Sequence, residues 1–321
     1  MSENRHTIDQ LKMFQAYPLD IKIRKTELRI MEYYDYYGGD VYVAFSGGKD
    51  STILLDIVRR LYPDIPAVFC DTGLEYPEIR NFVKSIDNVI WIEPDMTFTE
   101  VIKMHGFPVI SKDVAKIIKY AKQGKKWAFD KLNGVNRDGT PNKFKQRYKK
   151  WKYLVDAPFD ISDYCCKIMK IYPFERFERK EGLHAIVGTI AYEGYQRTQS
   201  WLKVGCNSFN KNGKSQPMAF WTEQDVLRYL KDHCKLGYSN IYGDIVDDID
   251  GQITLDLGEN NQPLSLTGCN RTGCMFCMFG VHLEKKTNRF QRMKQTHPQI
   301  YDYCIKKLGC GEVLDFVGVK Y

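Results

Sequence analysis

Residues 41–51 read VYVAFSGGKDS. An apolar, β-branched and aromatic run stops abruptly at a serine, two glycines, a lysine and an aspartate. The stretch that follows, STILLDIVRRLY, has helical periodicity, with Ile53, Leu54, Ile57, Val58 and Leu61 on one face. The order is therefore strand, tight turn, helix. At such a junction backbone N–H groups and the positive end of the helix dipole can hold an anion. Gly47 and Gly48 allow close backbone approach, Ser46 and Ser51 add hydroxyls, and Lys49 adds a mobile positive charge, so the expected ligand is a phosphate. The Walker A pattern is different, with four residues between its first and second glycine before Lys and Ser/Thr.

Further short runs repeat the strand signal at 66–70 (PAVFC), 88–92 (NVIWI) and 184–188 (HAIVG), and YPEIRNFVKSI after the second reads as helix. Alternation with short connections implies right-handed crossovers and a mostly parallel sheet, an α/β Rossmann-like fold. Ligands then sit beyond the carboxyl ends of the strands. Past residue 236 the alternation fades and cysteines, glycines and charges set the pattern. The expected division is a nucleotide-binding domain over 1–235, with a basic insertion at about 112–155, and a cysteine-containing C-terminal module over 236–321.

Length and composition agree with a folded protein. In 321 residues, 43% hydrophobic and 27% charged, there is enough apolar material for a large core. The N-terminus has no signal-peptide core and no stretch approaches a membrane span, so the expectation is a cytoplasmic protein without membrane association. Ten cysteines in such a protein are expected to be thiols, metal ligands or catalytic groups.

The net charge of +7 is unevenly placed. Residues 112–152 carry fourteen Lys or Arg against three Asp, so this segment alone has +11 and the remainder −4. Trp127, Phe129, Phe144, Tyr148 and Trp151 are interspersed, and NGVNRDGTPN in its middle is turn-rich. Two readings stand. Lysines that neutralise phosphates and rings that stack on unpaired bases would bind a nucleic-acid acceptor; alternatively the segment is a solvated helical face.

FSGGKDS followed by CDTGLEYPE resembles the PP-loop ATP pyrophosphatases. This adenine nucleotide α-hydrolase-like group includes the phosphoadenosine phosphosulfate (PAPS) reductases, the small subunit of ATP sulfurylase and DNA phosphorothioation enzymes. The resemblance continues through GTIAYEGYQRTQSW (188–201) and PMAFWTEQDVLRYL (217–230), covering roughly residues 40 to 280. It implies that Ser46, Gly47, Gly48, Lys49, Asp50 and Ser51 contact an adenine nucleotide, with Asp71 and Thr72 close by. It also places Glu193 and Arg197 where the family has substrate-facing charges, and it adds Lys49 and Asp50 to them as the expected catalytic groups. ATP with Mg²⁺ is the expected cofactor pair, since phosphoryl chemistry rests on charge stabilisation and positioning.

Adjacent Cys165 and Cys166, with Cys274 and Cys277 in TGCMFC, form a Cys-Cys…Cys-x-x-Cys set suited to a metal. This arrangement resembles the adenosine phosphosulfate (APS) reductases of the same family, where such cysteines hold a 4Fe-4S cluster. Cys269 is the reserve ligand, because Cys269-x4-Cys274-x2-Cys277 also matches a ferredoxin-like spacing. A structural zinc is the alternative occupant. Cys70, Cys206, Cys234 and Cys304 read as packing residues.

Two departures bear on activity. Sulfonucleotide reductases resembling this chain attack with a cysteine in a C-terminal Glu-Cys-Gly-[Ile/Leu]-His motif, whereas LGCGEVLDF offers Cys310-Gly311 without the flanking Glu and His. The turn SGGKDS is intact, a form that accompanies cleavage of ATP between its α- and β-phosphates in the family. The leading expectation is an ATP pyrophosphatase that adenylates an acceptor for iron–sulfur-linked sulfur transfer, supplied by a sulfur donor protein. APS or PAPS reduction to sulfite is the first alternative. A nucleic-acid-binding subunit with a regulatory ATP site is the second.

Overall fold

The computed structural model describes residues 5–136, 138–142, 145–210, 213–248, 262–284 and 287–321, without the side chains of Lys145 and Arg147. Arg137, Lys143 and Phe144 of the basic segment lie outside the described residues, as do the Lys145 and Arg147 side chains. The chain divides into two compact units. One comprises residues 1–71, 76–92 and 174–272, the other 72–75, 93–173 and 273–321.

In the first unit four short strands, Val41–Ala44, Ala67–Cys70, Val89–Ile92 and His184–Val187, make one parallel sheet. Their order across it is 89–92, 67–70, 41–44, 184–187. Val43 pairs with Ala67 on one side and Ile186 on the other. The chain thus leaves the 41–44 strand towards one edge and returns later to its other side, a topological switch point where a crevice opens beyond the strand ends. Ala67–Cys70 is buried throughout, as a strand covered on both faces should be. Val89–Ile92 is an edge strand with Ile90 38% exposed, so its apolar run, which reads in the sequence as a buried strand like 66–70, is only partly covered. Helix Lys49–Leu61 buries Ile53, Leu54, Leu55, Ile57 and Val58, each at most 1% exposed, while Leu61 on the same expected face is only half-buried.

Helix Leu19–Tyr36 packs beside it and donates a buried ion pair, Lys22 Nζ to Asp225 Oδ2 at 2.6 Å. That carboxylate also caps helix Glu223–Asp232 by accepting from the Thr222 N–H at 2.6 Å. Strands Ile245–Asp247 and Leu264–Leu266 form a small antiparallel pair in this unit.

The second unit is mainly helical. Helix Lys112–Lys122 packs on Lys126–Leu132 and on a two-stranded parallel pair in which Val109 matches Met278 and Ile110 matches Phe279, and helix Phe98–His105 precedes that pair. The cysteine-bearing C-terminal segment is therefore hydrogen-bonded to the strand before the basic segment. A boundary at residue 235 does not describe the molecule: among the described residues, 236–248 and 262–272 belong to the unit of the parallel sheet, and those of the basic segment to the unit of 273–284 and 287–321.

Candidate functional site

The turn after Val41–Ala44 is held by its own side chains. The Ser46 N–H donates to Ser51 Oγ (3.1 Å), the two serine hydroxyls lie 3.0 Å apart, and Ser51 Oγ donates to the Gly48 carbonyl (2.9 Å). Gly47 has φ +68°, and a Cβ there would meet Val83 Cγ2 at 2.7 Å and Ile79 Cγ2 at 2.8 Å. Both the conformation and the space demand glycine. Gly47→Ala is expected to destabilise the protein by about 2–4 kcal/mol, combining backbone strain with overpacking. Urea unfolding measures this, and a change below about 0.5 kcal/mol would mean the turn is not built this way.

Gly48 opens the helix Lys49–Leu61 without a side-chain cap, which leaves its first turn suited to an anion. One donor is taken: the Lys49 N–H bonds to the Tyr242 hydroxyl at 3.0 Å, which lies 2.7 Å from Thr272 Oγ1. Burial pushes the Tyr242 phenol up, so it stays neutral and serves as an acceptor here.

Lys49 is not the mobile cation that its position in the turn suggests. It is 2% exposed, with Nζ 3.1 Å from Glu223 Oε1 and 3.3 Å from Asp50 Oδ1. Glu193 and Arg197 are ion-paired, and Arg271 Nη2 reaches the other Glu193 oxygen at 3.1 Å. Burial lowers the Arg197 pKa from its usual value; the neighbouring Arg271 acts in the same direction and Asp50 opposes it. Gly188 also stands against the Asp50 backbone, where a Cβ would meet the Asp50 carbonyl at 3.0 Å. The expected residues Lys49, Asp50, Glu193 and Arg197 are thus neighbours, joined by Glu223, Arg271, Tyr242 and Thr272. Of these four, Glu223 lies in the 217–230 stretch and Arg271 and Thr272 within the Cys269–Cys277 stretch, whereas nothing local marks Tyr242.

Asp71, at the end of Ala67–Cys70, pairs with Arg80 at 2.6 Å. Thr72 belongs to the second unit, and its N–H and hydroxyl both bond to the Glu75 carboxylate. Thr72 is expected close to the nucleotide; in the structure its hydroxyl is held by the Glu75 carboxylate.

Cys165, Cys166, Cys274 and Cys277 line one pocket of the second unit, with Lys170 and apolar walls that include Leu74, Phe98 and Phe279. A π-helical turn, Lys167–Ile171, follows the Cys-Cys pair, a distortion frequent at functional sites. The Cys-x-x-Cys turn is closed by the Cys277 N–H to the Cys274 carbonyl (3.1 Å). Burial pushes the Cys165, Cys274 and Cys277 thiols up, Cys274 to about 11, and neighbouring thiols push the same way. Lys170 opposes this at Cys274 while pairing with Glu75 at 3.3 Å.

Among the described residues, no group of three or more His, Cys, Asp or Glu is arranged to hold a metal ion as it stands. The donor set nonetheless fits one, since facing buried thiols ionise readily only beside positive charge. Cys269 lies in the other unit, is 3% exposed, and donates its S–H to the Arg271 carbonyl at 2.9 Å. Cys310 is fully buried and shares a hydrogen bond with Cys304, whose thiol that bond and burial push up. Cys70 and Cys304 are packing residues as expected, whereas Cys206 and Cys234 are only half-buried.

The basic segment spends much of its charge internally. Lys119 pairs with Asp163 at 3.0 Å, Lys122 donates to the Ala157 and Phe159 carbonyls, Lys131 stands 3.6 Å from Asp113, and Lys152 bonds to Asn133. Trp151 packs edge-on against His282. No helix among the described residues is long and apolar enough to cross a membrane.

Comparison with known proteins bears on these features. The sequence model described as "Phosphoadenosine phosphosulfate reductase domain" matches residues 40–126 and 88–278, together well over half of the chain. An "Adenosine 5'-phosphosulfate reductase" of Bacillus velezensis is 24% identical over 221 residues, 65% of this chain and 70% of that protein. One of Staphylococcus haemolyticus is 24% identical over 222 residues, 65% and 68% of the two chains. Among solved structures, a phosphate complex of phosphoadenylyl-sulfate reductase from Candida auris is 12% identical, with TM-score 0.35, covering 63% of this chain and 75% of that one.

Proposed function

Because the chain belongs to the phosphoadenosine phosphosulfate reductase domain family of the PP-loop superfamily, we propose that it binds ATP at residues 46–51, cleaves it between the α- and β-phosphates and adenylates an acceptor. An acceptor oxygen attacks the α-phosphorus, the bond from that phosphorus to the bridging oxygen breaks, and pyrophosphate leaves with the electron pair. The acceptor then carries AMP, a leaving group that a sulfur nucleophile can displace. The observation that carries this reading is the intact turn: Gly47 seated on Ile79 and Val83, an uncapped helix behind it, and Lys49 poised between two carboxylates.

Each residue has a part in the reaction. Helix N–H groups hold the phosphates, and Lys49 exchanges Glu223 for a phosphate oxygen as negative charge builds on the leaving group. Asp50 is the carboxylate of the turn that would hold Mg²⁺. Arg197 and Arg271, now drawn to Glu193, supply two further cations to the same unit. Cys165, Cys166, Cys274 and Cys277 would hold a 4Fe-4S cluster, which supplies electrons or a sulfur ligand when bound.

Reduction of APS or PAPS to sulfite is the second reading, favoured by the names of the two bacterial relatives. Against it, Cys310 is fully buried and hydrogen-bonded to Cys304. With ATP and Mg²⁺, and water in the place of the acceptor oxygen, the protein should form AMP and pyrophosphate in equal amounts; with the true acceptor, pyrophosphate should leave first and AMP only when a nucleophile displaces it. Sulfite from APS under a reductant, with no pyrophosphate from ATP, would replace the first reading by the second.

A further inference from the structure

The groove of the second unit formed by helices Lys112–Lys122 and Lys126–Leu132 and the turn after them has a chemistry that the nucleotide site does not use. Its volume is about 600 Å³, and its lining includes Lys116, Tyr120, Trp127, Lys131, Asn136 and Asn142. We propose that this groove binds single-stranded nucleic acid, with an unpaired base on the Trp127 ring and phosphates on Lys116 and its basic neighbours.

Four observations carry it. The volume lies in the range of small-molecule sites and accommodates a nucleotide. Tyr120 and Trp127 stand 5.2 Å apart at 53°, and Lys119 lies over the Tyr120 ring at 4.6 Å while held by Asp163, which leaves the half-buried indole as the platform. The far wall is preorganised: Val135 N–H bonds to the Asp130 carbonyl (2.8 Å), Asn142 N–H to the Gly134 carbonyl (2.7 Å), and Asn142 Nδ2 to Asn136 Oδ1 (3.0 Å). Asn136 Nδ2 is in turn held by Thr140 Oγ1 (3.0 Å) and the Pro141 carbonyl (3.3 Å), so this wall is a rigid surface against which a ring can be held. The fourth is charge: Lys112 and Lys116 are exposed on the first helix and Lys125 just before the second, in a segment of +11. An acidic peptide would match the charge but has no use for the indole face. A duplex would match the charge but hides its bases.

The test uses the full chain without ATP, so its failure leaves the nucleotide reading untouched. Dye-labelled oligouridylate and oligothymidylate of about 16 nucleotides, the upper end of what one binding module tracks, are titrated at several salt concentrations. Single strands should bind with log K falling as log salt rises, by roughly 0.7 per phosphate contact. Lys116→Glu should weaken binding and flatten that slope, whereas Lys12→Glu, an equal charge change at an exposed site of the other unit, should do neither. Trp127→Leu should weaken binding roughly 5- to 150-fold at unchanged slope, the 1–3 kcal/mol of one stacked base. If Trp127→Leu fails to fold, the two lysine variants decide. Binding of duplex or polyglutamate as tight as that of single strands overturns the proposal, as does equal behaviour of Lys116→Glu and Lys12→Glu, or no binding at low salt.

Discussion

Lys49→Ala is expected to lower pyrophosphate release from ATP by about 10²–10³-fold, the scale of losing one charge-stabilising donor at a reacting phosphate. The side chain is 2% exposed and held by Glu223 and Asp50, so its removal also leaves two carboxylates facing each other. Thermal stability should fall with activity. Glu223→Gln separates these effects. It leaves the lysine in place and removes one competitor for it, so turnover should stay near the parent's and ATP should bind up to about 5-fold more tightly, the range of a part-exposed ion pair. Steady-state rates and an ATP titration of both variants check this. Parental turnover in Lys49→Ala would overturn the assignment of residues 46–51 as the phosphate site.

Cys274→Ser and Cys277→Ser are expected to abolish a brown colour and the roughly four irons per chain that anaerobic isolation should give if a 4Fe-4S cluster is held. Because a metal group bound only by the folded chain contributes to its stability, the melting temperature should drop as well. Cys269→Ser should keep both iron and colour, since Cys269 sits in the other unit with its thiol bonded to the Arg271 carbonyl. Iron and sulfide analysis with a visible spectrum decides. Colourless parent protein with one zinc per chain would give the pocket to the competing metal.

What the sequence by itself determined is local. Strand, turn and helix at 41–61 follow from side-chain alternation, from two glycines and from helical periodicity, all within 21 consecutive residues. The Cys-x-x-Cys pair was legible for a similar reason, since two thiols about a turn apart share a direction, and the Cys-Cys pair by simple adjacency. The tertiary structure alone decided where Lys49 points. Its partners Glu223 and Tyr242 lie 174 and 193 positions away, and no periodicity encodes a pairing at such separations. It decided the division of the chain too. Residues 93–173 and 273–321 form one unit because Val109–Ile110 hydrogen-bonds to Met278–Phe279, a pairing between strands of two residues each, too short to leave a pattern in the sequence. Charge was legible only as a total. Folding sets Lys119, Lys122 and Lys131 against carboxylates and carbonyls, because a partly buried ammonium needs acceptors that only the folded chain brings within 4 Å.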